Sequence, residues 1–284
     1  MSAGHAEQTI ARPLRRRAPR TAVGGVGPLG LGVAMLWLSL IVLLPLAAVL
    51  VRALDGGLAG LWDAVTAPSA VAALQFTIVA SAIVTLANAV VGTLIAWVLV
   101  RDDFRGKGLV DAMIDLLLAL PTIVASIVLL ALYGPRSPIG IDLFATKPAV
   151  VLALLFVTLP FVVRSVQPVL MEADREAEEA AASLGAGNWT IFRRVVLPAL
   201  VPTLLGGGGL AFARALGEYG SVVLIGGGIP RDTEVSSQYI AKQIETDQPT
   251  SAAAVSLTLL LVAFVVLFVL RVGAKRSMRH EVSA

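Results

Sequence analysis

Long apolar runs separated by short polar stretches dominate this chain of 284 residues. A helix that spans a bilayer needs about 20 mostly apolar residues, with a range of about 17–25. Six stretches have that character: residues 31–51, 71–100, 109–133, 149–166, 198–228 and 251–271. The pattern therefore predicts an all-α integral membrane protein with six transmembrane helices.

Some of these stretches carry features that a straight single span would not need. Pro45, Pro121 and Pro160 lie inside the first, third and fourth stretches. Membrane helices tolerate such prolines because neighbouring helices re-satisfy the freed backbone carbonyls. The stretch 71–100 is longer than one span, so tilt or a turn outside the membrane is expected. We predict helices packed around a pathway rather than isolated anchors.

The distribution of Lys and Arg predicts the orientation, because cytoplasmic segments carry the excess of these residues. With the N-terminus inside, 16 lie on inner segments, five lie on outer segments, and Arg214 lies within a span. Both termini are therefore predicted to be cytoplasmic. The expected organisation is a basic cytoplasmic tail over residues 1–28, a transmembrane domain over 29–272 and a cytoplasmic tail over 273–284. The polar segment 167–197 then faces the cytoplasm.

Composition narrows the classes of function. The chain is 57% hydrophobic and 14% charged, with a mean hydropathy of +0.87. It has no cysteine, and its two histidines, His5 and His280, lie in opposite tails, so we expect no metal site and no cofactor. Neither a phosphate-binding G-x4-G-K-[ST] loop nor a catalytic triad pattern is present, so we expect no enzyme activity in this chain. The arginine-rich N-terminal tail is interpreted as binding anionic lipid, not nucleic acid.

The polar segment has the character of a docking surface. Residues 171–183 are good helix formers with acids concentrated early, and Gly185 or Gly187 can end that helix. Beyond them lie Trp189, Ile191 and Phe192, which are large apolar residues in an otherwise polar stretch. Apolar groups rimmed by charge mark interaction sites. We therefore predict that another protein binds this segment.

The spacing in this segment resembles a known family. Glu179-Ala180-Ala181, then Gly185, then Val195-x-Leu197-Pro198 is similar to the EAA motif of ATP-binding-cassette importer permeases, with Val195 where isoleucine is usual. The resemblance covers roughly residues 70–272 and implies the type I importer permease fold. It also implies a coupling helix seated on an ATPase, with Glu179, Ala180, Ala181 and Gly185 as the ATPase-coupling residues.

Three further stretches narrow the resemblance. Residues 132–140, 192–200 and 212–221 are similar to the CysT-type sulfate/thiosulfate permease subunits. This implies a heterodimer with a second, CysW-like permease subunit that shares the translocation pathway. It also implies two CysA-like ATP-binding subunits, which bind the ATP and Mg, and an extracytoplasmic sulfate-binding protein.

A charged pair stands out within the fifth predicted span. Arg in a span costs about 2.5–3.5 kcal/mol on insertion scales, and Glu218 lies four residues after Arg214, so the two can pair on one helix face. The pair is either structural or part of the anion path or its gate. Pro121 and Thr122 are further candidates for lining that path. Asp111 and Asp115 are interpreted as structural, and Gly206 to Gly209 as a close-packing surface.

Two other kinds of function stay open at this point. A molybdate or tungstate permease of the same family shares much of the 212–221 element. An ion-driven secondary transporter or a membrane scaffold would explain the spans without an ATPase, although no convincing internal repeat is present. Copurification of an ATPase through the 167–197 segment separates an importer, for sulfate or for molybdate, from a secondary transporter or a scaffold.

Overall fold

A computed structural model describes residues 28–173 and 175–282, with the side chains of residues 30–173 and 175–274. This part of the chain is all-helical and contains no strand. Most of the predicted N-terminal tail and the last two residues lie outside it. The helices are α1 Pro28–Leu38, α2 Leu44–Ala53, α3 Gly57–Thr66, α4 Pro68–Arg101, α5 Lys107–Ala119, α6 Thr122–Tyr133, α7 Lys147–Glu172, α8 Arg175–Ser183, α9 Asn188–Ile191, α10 Leu197–Leu216, α11 Ser236–Glu245 and α12 Pro249–Val282.

Contacts divide the chain into two units, residues 1–46 and residues 47–284. In the first, a π-helical stretch, Ser39–Leu43, follows α1 and leads to Pro45 at the start of α2. A proline lacks the amide proton of the helical hydrogen bond and its ring crowds the carbonyl four residues earlier. A local π-helical turn relieves that crowding while the span continues. The same device occurs in the second unit, where Phe192–Val196 precedes Pro198.

The core of the second unit is a layer of long helices in which α7 packs against α4 and α10, and α12 packs against α10. Small and branched side chains fill the contact, with Ala80, Val84 and Ala153 almost fully buried. A polar bridge crosses it where Asn88 Nδ2 donates to Thr158 Oγ1 over 2.9 Å. Interhelical hydrogen bonds of this kind help to hold membrane helices together, because lipid is as apolar as the side chains and apolar burial alone does not drive helices to associate.

The predicted span over residues 71–100 is confirmed as one continuous helix. α4 has 34 residues and is therefore about 51 Å long at 1.5 Å per residue, well beyond a hydrocarbon core of about 30 Å. The expected turn outside the membrane does not interrupt it. The fourth predicted span also runs further, because α7 continues to Glu172 through Pro160 and Pro168.

The third predicted span is sharply broken. α5 and α6 meet at an angle of 116°. Leu120 is extended (φ −70°, ψ 128°) directly before Pro121, as expected because proline disfavours the helical region for the residue that precedes it. The described chain thus has five long apolar helices, or six spans if this bent pair counts as one.

The predicted C-terminal end of the fifth span, at residue 228, is wrong. α10 ends at Leu216, and the chain then forms turns to residue 235 instead of helix to residue 228. The later turns include Gly227 and Gly228 at positive φ of 72° and 58°, a conformation that glycine adopts readily and that an α-helix does not contain. The near end of this helical segment begins earlier than predicted, at Asn188. The sixth predicted span, 251–271, lies within the apolar part of α12.

The glycine run in α10 packs closely, as the sequence indicates. A Cβ placed on Gly207 would lie 2.6 Å from both Cβ and Oγ of Ser165 on α7, whereas a Cβ on Gly206 would meet nothing within 4 Å. Gly209 faces the side chains of Leu267 and Leu270 on α12. Residues 207–209 therefore let α10 approach its neighbours, and Gly206 does not share that role.

This difference predicts opposite outcomes for neighbouring substitutions. Gly207→Ala is expected to destabilise the protein by about 1–3 kcal/mol, because α7 and α10 must separate. Gly206→Ala is the matched control and is expected to be neutral or to stabilise by up to about 1 kcal/mol through helix propensity. Thermal unfolding of the purified protein in detergent measures both. Equal melting temperatures for the two variants would contradict the assigned packing.

Candidate functional site

A cavity lies at the bend between α5 and α6. Its volume is about 240 Å³. The cavity brings together three of the four predicted path residues, because Pro121 and Thr122 at the bend meet Arg214 of α10. The remaining lining is apolar: Leu117, Leu118, Leu120, Val157 and Phe161. Among the described side chains that line this small chamber, Arg214 is the one that carries a charge.

The predicted pairing of Arg214 with Glu218 is confirmed. Arg214 Nη1 contacts Glu218 Oε2, and the two side chains are 34% and 1% exposed. Glu218 lies beyond the end of α10, where its Oε1 accepts a hydrogen bond from the Ser221 amide over 2.8 Å. The two partners therefore differ in exposure. The carboxylate is buried and accepts a backbone hydrogen bond, whereas the guanidinium is partly exposed and its residue lines the cavity.

The turns after α10 hold the bend in place. Ser126 Oγ on α6 accepts hydrogen bonds from the amides of Leu224 and Ile225, over 3.1 and 3.2 Å. Gly220 lies so close to α6 that an added Cβ would overlap the hydroxyl of Thr122 and lie 3.0 Å from the Ile123 amide nitrogen. The segment that carries Glu218 therefore packs directly on Thr122, one of the residues that line the cavity.

A second charged cluster anchors α5 to α7. Arg164 Nη1 lies 2.6 Å from Asp111 Oδ1, and Arg164 Nη2 lies 2.6 Å from Asp115 Oδ1. Gln167 completes the cluster through a hydrogen bond to Asp111. Both aspartates therefore link α5 to α7. This partner on α7 was not predicted, since nothing in the local sequence links positions about 50 residues apart.

The polar loop contains the helix and glycine turn that the sequence predicts, although the helix begins at Arg175 rather than residue 171. Gly185 has φ of +83°, and its amide donates to the Ala182 carbonyl while Ala186 donates to Ala181. This is the Schellman arrangement, in which a left-handed residue satisfies the last helical carbonyls.

The predicted coupling residues on this helix differ in exposure. Glu179 and Ala180 are exposed, and Ala181 is half-buried.

The apolar residues of the loop face two ways. Leu184 is 88% exposed and Trp189 is 71% exposed. Phe192 is half-buried and packs edge-on against Trp97 of α4, with ring centroids 5.6 Å apart. An open apolar groove of about 800 Å³ runs beside these rings, between α4 and the start of α10. The loop is therefore fastened to α4 on one side and presents apolar groups on another.

One contact of this loop could not be predicted from the sequence. Arg101, the last residue of α4, forms an ion pair with Glu178 of α8, 77 positions away. Sequence reasoning selected the adjacent Glu179 instead, because that residue occupies the motif position. In the described side chains, no group of three His, Cys, Asp or Glu converges to hold a metal ion.

Comparison with known families and sequences adds a second line of information. Residues 88–278 match the family described as binding-protein-dependent transport system inner membrane component. The chain is 42% identical over 245 residues to the sulfate transport system permease protein CysT of Synechocystis sp., covering 84% of this chain and 86% of that protein. It is 39% identical over 247 residues to the Escherichia coli protein of the same name, covering 84% and 89%.

Solved structures share the fold at low identity. A chain of a bacterial alginate ABC transporter, solved with a periplasmic protein bound to an alginate pentasaccharide, superposes with a TM-score of 0.73 at 17% identity, covering 87% of this chain and 92% of that chain. A chain of the inward-facing MetNI methionine ABC transporter superposes with a TM-score of 0.53 at 19% identity, covering 74% and 94%.

Proposed function

The chain belongs to the family of binding-protein-dependent transport system inner membrane components, and on that premise we propose that it is a permease subunit of an ATP-driven sulfate/thiosulfate importer. One observation supports sulfate as the transported solute. The chain is about 40% identical, across more than four-fifths of its length, to proteins named as sulfate transport permeases. These relatives favour sulfate over the molybdate alternative.

The Arg214 cavity is the proposed anion path or gate. A guanidinium that is about one-third exposed beside this cavity can attract a dianion through its charge. The enclosed Glu218 lowers the cost of keeping that cation in the membrane and leaves its open side free. Thr122 also lines this cavity. These features support a role in anion passage, in addition to a role in holding the helix end.

The loop between α7 and α10 is the proposed attachment for the ATPase. Glu179, Ala180 and Gly185 are exposed on a short helix and its glycine turn, and Ala181 is half-buried. We place this loop and both termini in the cytoplasm, following the distribution of basic residues. The chain then forms its pathway with a second permease subunit and draws on ATP and Mg held by two ATP-binding subunits. An extracytoplasmic binding protein delivers the anion.

Uptake by the reconstituted complex tests this function. The permease pair, the ATPase and the binding protein are placed in proteoliposomes, and uptake of labelled sulfate is followed with unlabelled sulfate, thiosulfate or molybdate as competitor. We expect ATP-dependent uptake that sulfate and thiosulfate suppress and that molybdate leaves nearly unchanged at equal concentration. Vesicles without ATP, or without the binding protein, are the controls and should show background uptake only.

Two outcomes would overturn parts of the proposal. Stronger suppression by molybdate than by sulfate would reassign the solute within the same family. Uptake that follows an imposed proton or sodium gradient in the absence of ATP would point to a secondary transporter.

A further inference from the structure

The ion pair between Arg101 and Glu178 is well shielded from water. Arg101 Nη2 donates to Glu178 Oε1, and the two side chains are only 11% and 20% exposed. Removing one partner of such a shielded pair leaves an uncompensated charge, which is far more disruptive than losing a surface pair. The contact therefore holds the first turn of α8 against the end of α4.

An aromatic row extends the same contact beyond the glycine turn. The guanidinium carbon of Arg101 lies 5.4 Å from the ring centroid of Trp97, one turn earlier on α4, and cations are attracted to the face of an indole at this range. Trp97 contacts Phe192, whose ring stacks on Trp189 at 5.7 Å. The end of α4 thus contacts the loop on both sides of Gly185, through charge on α8 and through rings after it.

This network joins the two sites already described. Glu178 lies beside Glu179 on α8 but is turned inward, whereas Glu179 is exposed. At the other end of the connection, α4 packs along α7 and α10, and α10 carries Arg214. Arg101 and Trp97 therefore connect α8, through α4, to the helices that surround the cavity.

We infer that the Arg101–Glu178 ion pair, supported by Trp97, positions the coupling helix α8 on α4 so that movement of α8 is transmitted to the transmembrane helices. The inference rests on the proposed function, since it assigns α8 to the ATPase. Arg101 and Glu178 are positioning residues, and Glu179 remains the acid available to the partner. A broken pair leaves the ATPase bound but lets α8 move without α4.

The ratio of sulfate transported to ATP hydrolysed measures this role. In proteoliposomes that contain the full complex, Glu178→Gln and Arg101→Gln are expected to retain the ATPase on copurification. Their sulfate-to-ATP ratio should fall by about tenfold, within the range that contacting charged residues show in double-mutant cycles. The charge-swapped variant Arg101→Glu with Glu178→Arg should recover most of the ratio. A purely structural role would lower complex yield without changing the ratio of the complex that survives.

A neighbouring ion pair offers the matched control. Lys107 Nζ lies 3.2 Å from Asp103 Oδ1, and the Asp103 side chain is fully exposed, so Asp103→Asn should keep the wild-type ratio. Wild-type ratios in both single variants, or a swapped variant no better than the singles, would refute the inference. Absence of sulfate uptake by the wild-type complex would instead contradict the proposed function. In that case, ATP hydrolysis by the Glu178→Gln complex, compared with wild type in the absence of solute, still reports whether the pair restrains α8.

Discussion

Arg214→Ala is expected to reduce sulfate uptake to background, a loss of at least about 100-fold, while the permease still assembles with its partners. A factor of 100 corresponds to about 2.7 kcal/mol of lost stabilisation for the passing anion. That magnitude is reasonable for removing the one cation among the described residues that line the cavity. Uptake of labelled sulfate and copurification of the complex are measured on the same preparation.

The buried carboxylate complicates the single substitution, and a second variant resolves it. Glu218 is 1% exposed, so losing Arg214 leaves a buried, unpaired charge that destabilises the protein by itself. Arg214→Ala combined with Glu218→Gln removes that charge and restores assembly if the single variant is damaged. On the path or gate interpretation, the double variant assembles and remains inactive. Recovery of uptake by the double variant would show that the pair is only structural.

Gly185→Pro is expected to release the ATPase. Proline requires φ near −65°, whereas Gly185 has φ of +83° and its amide donates to the Ala182 carbonyl. The substitution therefore breaks the Schellman turn, at a cost of about 2–3 kcal/mol. If the ATPase binds only the intact turn, its affinity falls by roughly 100-fold. Copurification of the ATPase with the tagged permease measures this.

Gly187 provides the control for that substitution within the same loop. Its φ is −72°, which proline can adopt, and an added Cβ there would meet nothing within 4 Å. Gly187→Pro should therefore retain the ATPase. Retention of the ATPase by the Gly185→Pro variant as well would separate the glycine turn from coupling, and the docking surface would then have to lie elsewhere on the chain.

The membrane-spanning segments were largely predictable because their signal is local. An apolar run such as 71–100 must be helical in lipid, where every backbone amide and carbonyl needs a partner within the segment. The glycine turn at Gly185 was predictable for a similar reason, since the αL residue that ends a helix is usually glycine. The pairing of Arg214 with Glu218 also follows from a separation of four residues.

Hydropathy could not reveal where an apolar run stops being helical. Residues 217–228 are apolar enough to read as a continued span, yet they form turns that donate amides to Ser126 on another helix. Pro121 was recognised as a disturbance, but the 116° bend depends on how α5 and α6 pack, which a window of apolar residues does not encode.

By itself, the sequence determined the helical class, the approximate spans, the polar loop with its glycine turn and the family resemblance, because each depends on residue types at short, regular spacing. Only the tertiary structure decided that Thr122 and Arg214 line one cavity, that Arg164 holds both Asp111 and Asp115, and that Glu178 rather than Glu179 fastens the loop to Arg101. Those contacts join residues about 50 to 90 positions apart. They are set by which helix faces pack together, because side chains so far apart in the sequence come into contact only when the helices pack.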